Sequence, residues 1–248
     1  MSSTPVDILV VLAAPFIGSF IGLAVSRRGS GASIVRGRSH CPACGRTLRP
    51  AELMPLVGWL ALRGRCRGCG ARIGLYEPAV ELAALGLALW AVLAAPGWIG
   101  WLGAGLGWTL LALSLIDLHE MALPDLLTLP LVGAGLAVAA AAGWQPLDHL
   151  IGAGIGFAGF AALGWGWERA TGREALGLGD AKLFAAAGAW LGWQGLPSCL
   201  LIAALAGLGL ALARALAGRG GLGQPLPFGP ALAAGFWLTW ALGPIQFA

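Results

Sequence analysis

Asp117, Glu120, Asp125 and Asp180 stand in the most apolar part of this sequence, within Leu115-Ile116-Asp117-Leu118-His119-Glu120-Met121-Ala122-Leu123-Pro124-Asp125 and Gly177-Leu178-Gly179-Asp180-Ala181-Lys182. Carboxylates take up and return protons, which is the chemistry of hydrolysis or of a proton path, and at membrane depth they are costly enough that function is their usual reason. Asp125 follows Pro124 at a helix start, where the helix dipole favours an acid, so capping and catalysis both remain open for it. Asp180 could also cap a helix, but Gly177 and Gly179 before it permit close backbone approach and unusual dihedrals that a cap does not need. Asp117 falls at the C-terminal end of a helix, where the dipole opposes negative charge, so something else must require it. His119 and Glu120 read as interfacial residues.

Cysteines form the second chemical pattern. Cys41-Pro42-Ala43-Cys44 and Cys66-Arg67-Gly68-Cys69 are each followed by a glycine, Gly45 and Gly70. Two such turns can surround one tetrahedral Zn²⁺ with four sulfurs, closing its shell so that the metal folds the loop and does not activate water. Disulfides and free thiols are the alternatives, and a reducing cytoplasm disfavours the former. Cys199, in an apolar run, reads as a small buried side chain.

The elements that must carry these groups are membrane helices. Hydrophobic residues make up 58% of the 248 and charged residues 10%, with a mean hydropathy of +0.82, which excludes an ordinary soluble domain. Apolar runs predict an all-α polytopic membrane protein with about eight transmembrane helices, near 6–26, 78–95, 98–116, 124–142, 150–167, 181–196, 198–217 and 229–246, and a small cytoplasmic zinc-binding loop. Asp7 ahead of the first run and the arginines after it suit a retained helix over a cleaved signal. Of the fifteen Lys and Arg residues, ten lie from Arg27 to Arg72 and the others are Arg169, Arg173, Lys182, Arg214 and Arg219, all in or beside alternate connectors. The positive-inside rule puts those connectors in the cytoplasm and the turns near Pro96, Gly143–His149 and Gln194–Pro197 outside. That rule explains the net +4 charge, and no nucleic-acid partner is expected. Gly154-Ile155-Gly156-Phe157-Ala158-Gly159 matches a dinucleotide fingerprint in letters only; no strand precedes it, and Gly152 and Gly156 read as a close helix-packing pair. Trp98, Trp101, Trp144 and Trp193 fall near proposed span ends, where indoles prefer the interface.

The chain resembles the bacterial type IV prepilin peptidases, intramembrane aspartic proteases also called leader peptidases or N-methyltransferases. The resemblance rests on Gly18-Ser19-Phe20, both cysteine pairs, Gly58-Trp59-Leu60 leading to Arg63-Gly64-Arg65-Cys66, and Pro78 with Val80-Glu81. It continues through Asp117 with Leu123-Pro124-Asp125, the Gly-x-Gly-Asp-x-Lys run from Gly177 to Lys182, and Pro227-Phe228-Gly229-Pro230. It implies a catalytic pair at Asp117 and Asp180, with Asp125, Gly177, Gly179 and Lys182 in support. It further implies cleavage of the short basic leader of prepilins or pseudopilins of pilus or type II secretion machines in the bacterial inner membrane, zinc in the cysteine loop, and N-methylation from S-adenosylmethionine.

Two approaching carboxylates cannot both ionise cheaply, so one would keep a proton while the other draws a proton from water, which attacks the scissile carbonyl; no acyl-enzyme is implied. The organisation expected is a first transmembrane helix over 1–26, the cytoplasmic loop associated with methyl transfer over 27–77, and a peptidase bundle over 78–248. The chain departs from the family pattern at Gly22, where an Asn is usual nearby, at Leu53-Met54-Pro55, which replaces Asn-Ile-Pro, and at Glu77, an inserted acid. All three flank the first span or the cysteine loop, whereas the peptidase motifs are intact. A proton- or cation-coupled transporter is the competing reading of the acids, but none lies mid-span and the halves show no inverted repeat.

Overall fold

The computed structural model describes residues 4–28, 39–172, 177–217 and 226–245. Arg36, Arg38, Arg173 and Arg219, used in the sequence argument for sidedness, lie outside them. The fold is all-helical; among the described residues the only β pairings are the isolated bridges His40↔Thr47 and Arg65↔Arg72. Two compact units divide the chain, residues 1–108 and 109–248.

The first unit holds α1 (Pro5–Arg28), a 3₁₀ turn (Pro50–Leu53), α2 (Val57–Ala61), α3 (Tyr76–Ala94) and the beginning of α4 (Trp98–Glu120). A reciprocal cap starts α1, with the Thr4 N–H donating to Asp7 Oδ2 at 2.7 Å and the Asp7 N–H to Thr4 Oγ1 at 3.3 Å. Trp101 Nε1, placed near a span end from sequence, donates to the same carboxylate at 2.7 Å. Gly18 lets α1 approach α3: a Cβ there would stand 2.7 Å from the Glu81 Cα and 2.9 Å from the Ala84 Cβ. Small residues that admit a neighbouring backbone are the usual means of packing helices in lipid, where apolar burial supplies no drive.

The second unit comprises the rest of α4, α5 (Asp125–Ala141), α6 (Pro146–Thr171), α7 (Leu178–Leu216) and α8 (Gly229–Leu242). Gly152 and Gly156 of α6 form the packing pair expected from their spacing: Cβ atoms at these positions would meet the carbonyl oxygens of Gly188 and Phe184, each at 2.6 Å. Trp190 Nε1 of α7 donates to the Leu131 carbonyl of α5 at 2.9 Å, and Gly235 of α8 lies against the Cys199 backbone. Cys199 itself is fully buried, as read from sequence.

Among the described residues five helices, α1, α3, α4, α6 and α7, are long and apolar enough to cross a membrane, and this is a membrane protein. All eight runs read from the sequence fall on helices, but fewer reach spanning length by themselves. The 17 residues of α5 and the 14 of α8 rise about 25 and 21 Å, short of the roughly 30 Å hydrocarbon core. The two runs near 181–196 and 198–217 are the halves of the 39-residue α7. The turn expected at Gln194–Pro197 is absent; the break is a single residue earlier in the chain, Gly192, with φ 70° and ψ 171°. Proline suggested the later position, but only a residue without Cβ adopts that backbone cheaply. Asp148 braces the break, accepting from Trp193 Nε1 at 3.2 Å and Gln194 Nε2 at 2.8 Å.

Candidate active site

Asp117 lies one turn before the end of α4 and is 5% exposed. Its place is set by α8. The Gly229 N–H, one of the unpaired donors at that helix's start, donates to Asp117 Oδ2 at 2.9 Å. A Cβ on residue 229 would stand 2.7 Å from Oδ2 and 3.0 Å from Cγ, so only glycine brings the donor this close. Phe228 and Pro230 flank it, Pro230 in the first turn, where its missing N–H costs nothing. Gly229 carries no chemistry of its own and is marked in the sequence only by its place before the helix-start Pro230, in Pro227-Phe228-Gly229-Pro230.

Asp180 is the third residue of α7, whose N-cap is Gly177. The backbone of Gly177 faces its carboxylate, as in half of a capping box, and the charge of Asp117 acts on it directly. The two acids, 63 positions apart by their numbering, are thus brought together from opposite ends of α4 and α7. The glycines before Asp180 act in one of the two ways expected. Gly179 permits close approach, since a Cβ there would be 3.0 Å from the Leu123 Cβ, but neither it nor Gly177 has a positive φ. Gly177 instead adopts φ −77° and ψ 152°, ordinary extended backbone for an N-cap, so the unusual dihedrals read from sequence are not found.

Asp125 opens α5 after Pro124, and Lys182 Nζ reaches it at 2.6 Å. The pair joins the start of α5 to α7 at the residue two positions after Asp180. Asp125 therefore has Lys182 as a salt-bridge partner.

In the first unit, the Sγ atoms of Cys41, Cys44, Cys66 and Cys69 lie within 4.8 Å of one another, and Cys41 and Cys69 are 3.8 Å apart. Zinc–sulfur bonds of about 2.3 Å in a tetrahedron put sulfurs about 3.8 Å apart, whereas a disulfide needs about 2.05 Å. The two turns are near copies. The Gly45 N–H donates to the Cys41 carbonyl at 2.8 Å and the Gly70 N–H to that of Cys66 at 2.9 Å, with φ of 69° and 71° at the glycines. Backbone N–H groups of Cys69 and then Gly68 point at the Cys66 sulfur and draw its thiol down to about 6, the thiolate form a metal takes. Arg46, bridged to Glu52 at 2.9 Å, packs over Gly68 and faces the Cys66 sulfur. These residues fit a tetrahedral metal ion.

Comparison with known proteins bears on both units. The model of the type IV leader peptidase family matches residues 104–212, and that of the bacterial peptidase A24 N-terminal domain matches residues 12–95. A protein of Aeromonas hydrophila named prepilin leader peptidase/N-methyltransferase is 45% identical over 205 residues, covering 82% of this chain and 70% of its own. The chain belongs to the type IV leader peptidase family. Proteins with the same name from Burkholderia pseudomallei (strain 1026b), 46% identical over 80% of this chain and 65% of theirs, and Pseudomonas aeruginosa, 38% identical over 88% and 76%, resemble it likewise. No solved structure matches. These relatives favour a peptidase that is also an N-methyltransferase over the transporter reading of the acids.

Two of the departures from the family's usual residues meet in space. A Cβ at Gly22 would lie 2.5 Å from Glu77 Oε2, so the carboxylate occupies room beside α1 that a side chain at 22 would fill. Gly22 and Glu77 are one contact between α1 and α3.

Proposed function

We propose that this chain is an intramembrane aspartic endopeptidase that removes the short basic leader of type IV prepilins or pseudopilins, and then methylates the new N-terminus from S-adenosylmethionine. The observation that carries the reading is the convergence of Asp117 and Asp180. One acid holds a proton and polarises the scissile carbonyl while the other takes a proton from the attacking water; the amine leaves with a proton returned by the pair. The Gly229 N–H fixes Asp117, and the Lys182–Asp125 bridge fixes the turn that bears Asp180.

Both acids sit at helix ends, which gives the reaction water that a bundle centre would lack. The basic residues Arg27, Arg28, Arg169 and Lys182 lie at helix ends, and ten of the fifteen basic residues lie between positions 27 and 72. Their distribution supports placing the acids and the cysteine loop on the cytoplasmic face of a bacterial inner membrane. A basic leader then stays in the cytoplasm while the apolar pilin helix lies in lipid. Cys41, Cys44, Cys66 and Cys69 would hold a structural Zn²⁺ that folds the 27–77 region, where we place methyl transfer.

The test is purified protein in detergent with a prepilin and S-adenosylmethionine, read by mass spectrometry of the product N-terminus. Cleavage followed by a one-methyl mass increment is expected. Normal cleavage by the Asp117→Asn, Asp180→Asn double variant would overturn the peptidase assignment, and cleavage without methylation at saturating donor would overturn the second activity.

A further inference from the structure

Between the two cysteine turns, the chain displays apolar side chains where a small water-soluble loop would hide them. Leu53 is 44% exposed, Met54 46%, Val57 61% and Leu60 65%. They fall within residues 53–60, on the 3₁₀ turn, its C-cap Met54 and α2, as one exposed apolar stretch, the ridge. Arg49 and Arg63, both exposed, stand at its ends.

The ridge is held rigidly. The Val57 N–H donates to the Pro55 carbonyl at 2.6 Å, closing a γ-turn whose central residue, Leu56, has φ 58° and ψ −52°. This is the strained kind of γ-turn, rare in folded chains, and it persists only when its surroundings impose it. Here Glu81 imposes it: this 5%-exposed carboxylate on α3 accepts the Leu56 N–H at 2.7 Å. On the other side Gly58 packs against the Glu52 carbonyl, where a Cβ would be 2.6 Å away, and Glu52 is bridged to Arg46 beside the cysteines.

Glu81 also fixes the ridge's depth. It lies five positions after Tyr76, where α3 begins, a rise of about 7.5 Å along the helix axis. That rise is comparable with the thickness of the headgroup region of one leaflet, about 5–8 Å. Apolar side chains with arginines at their margin, at that level, match an interfacial anchor: the hydrophobes enter the acyl boundary and the guanidinium groups meet anionic phosphates.

We propose that the Leu53–Met54–Val57–Leu60 ridge is a membrane-docking surface that seats the cysteine loop on anionic phospholipid of the leaflet where α3 begins. The buried Glu81 carboxylate then acts as a positioning group, holding a strained turn so that these side chains face lipid.

The full chain would be reconstituted in phosphatidylcholine nanodiscs with and without phosphatidylglycerol, with p-benzoylphenylalanine in place of Val57 or Leu60, and irradiated. Mass spectrometry should find phospholipid adducts about tenfold above those from the same probe at Ala43 in the first cysteine turn. The yield should rise with phosphatidylglycerol and fall when Arg49 and Arg63 are changed to Ser. Adducts to an added prepilin or to a second copy in place of lipid, or lipid adducts no more abundant than at Ala43, would overturn the proposal. Hydrogen exchange on the unsubstituted chain guards against a misfolded probe variant. Amides of residues 53–62 should exchange several-fold more slowly when phosphatidylglycerol is present, and equal rates would likewise overturn it.

Discussion

Gly229→Ala should slow the peptidase by one to two orders of magnitude, about 30- to 100-fold, while leaving every ionisable group in place. The new methyl would meet Asp117 at 2.7 Å from Oδ2, 3.0 Å from Cγ and 3.1 Å from Cβ. Carbon contacts settle near 3.5 Å, so the acid or the start of α8 must move by about 0.7 Å, and the 2.9 Å bond from the residue 229 N–H loosens with it. Misplacing a catalytic group by about 1 Å costs on the order of a hundredfold, so a fall in kcat of about 30- to 100-fold is expected, about 2–2.7 kcal/mol of barrier. KM for the prepilin should hold within about threefold, since the contact of residue 229 that changes is the one with the acid. Gly133→Ala on α5, where an added Cβ meets nothing within 4 Å, is the matched control and should leave kcat unchanged. The assay is steady-state cleavage of a purified prepilin by protein whose helicity matches the parent. A folded Gly229→Ala variant with kcat within about threefold of the parent would refute the claim that this arrangement of Asp117 is the working one.

Asp117→Asn and Asp180→Asn should each abolish cleavage, and the double variant should be hardly worse than either, because groups acting as one unit are non-additive; multiplicative losses in single-turnover rates would count against a shared role. Asp125→Asn should lose cleavage only partly and Lys182→Met by a similar factor, with a coupling of about 0.5–1 kcal/mol between them in thermal unfolding, as for an exposed ion pair; total inactivation by Asp125→Asn alone would move that acid into the catalytic group. For the metal, four thiols must lose their protons, but Cys66 is drawn down to about 6. Its depressed thiol is already ionised at pH 7.5, so zinc titration into chelator-stripped protein should release about three protons there, rising toward about four as pH falls through 6. Calorimetry in buffers of different ionisation enthalpy measures this, and four protons at pH 7.5 would contradict the assignment.

Helices and cysteine turns were legible because their signals are local. An apolar run long enough for a membrane, or a Cys-x-x-Cys-Gly turn, states its structure within a few residues, and the glycines at 45 and 70 take the positive φ that the turn requires. The acids were legible through cost, since a carboxylate at the wrong end of a helix dipole demands a reason. What the sequence hid depends on partners distant in the chain. Nothing near Asp117 marks Gly229, 112 positions away, as its donor, and nothing near Asp125 marks Lys182. The break in α7 was misplaced because Pro197 is the louder local signal, although a helix tolerates proline near its start while the backbone at 192 tolerates only glycine.

The departures from the family pattern bear on methyl transfer differently once their positions are known. Counted along the sequence, Gly22 and Glu77 are two losses beside the region assigned to that activity. In space they are one exchange. An acid on α3 occupies the volume that a side chain on α1 would otherwise take, with the buried Glu81 one turn further along α3. The third departure, Leu53-Met54, is exposed, and its residues serve the ridge held by Glu81, so it changes what that surface meets and leaves the packing beneath it alone. The cysteine turns, the Arg46–Glu52 bridge and the Leu56–Glu81 bond are all present together, so the loop keeps its framework alongside the Gly22–Glu77 contact.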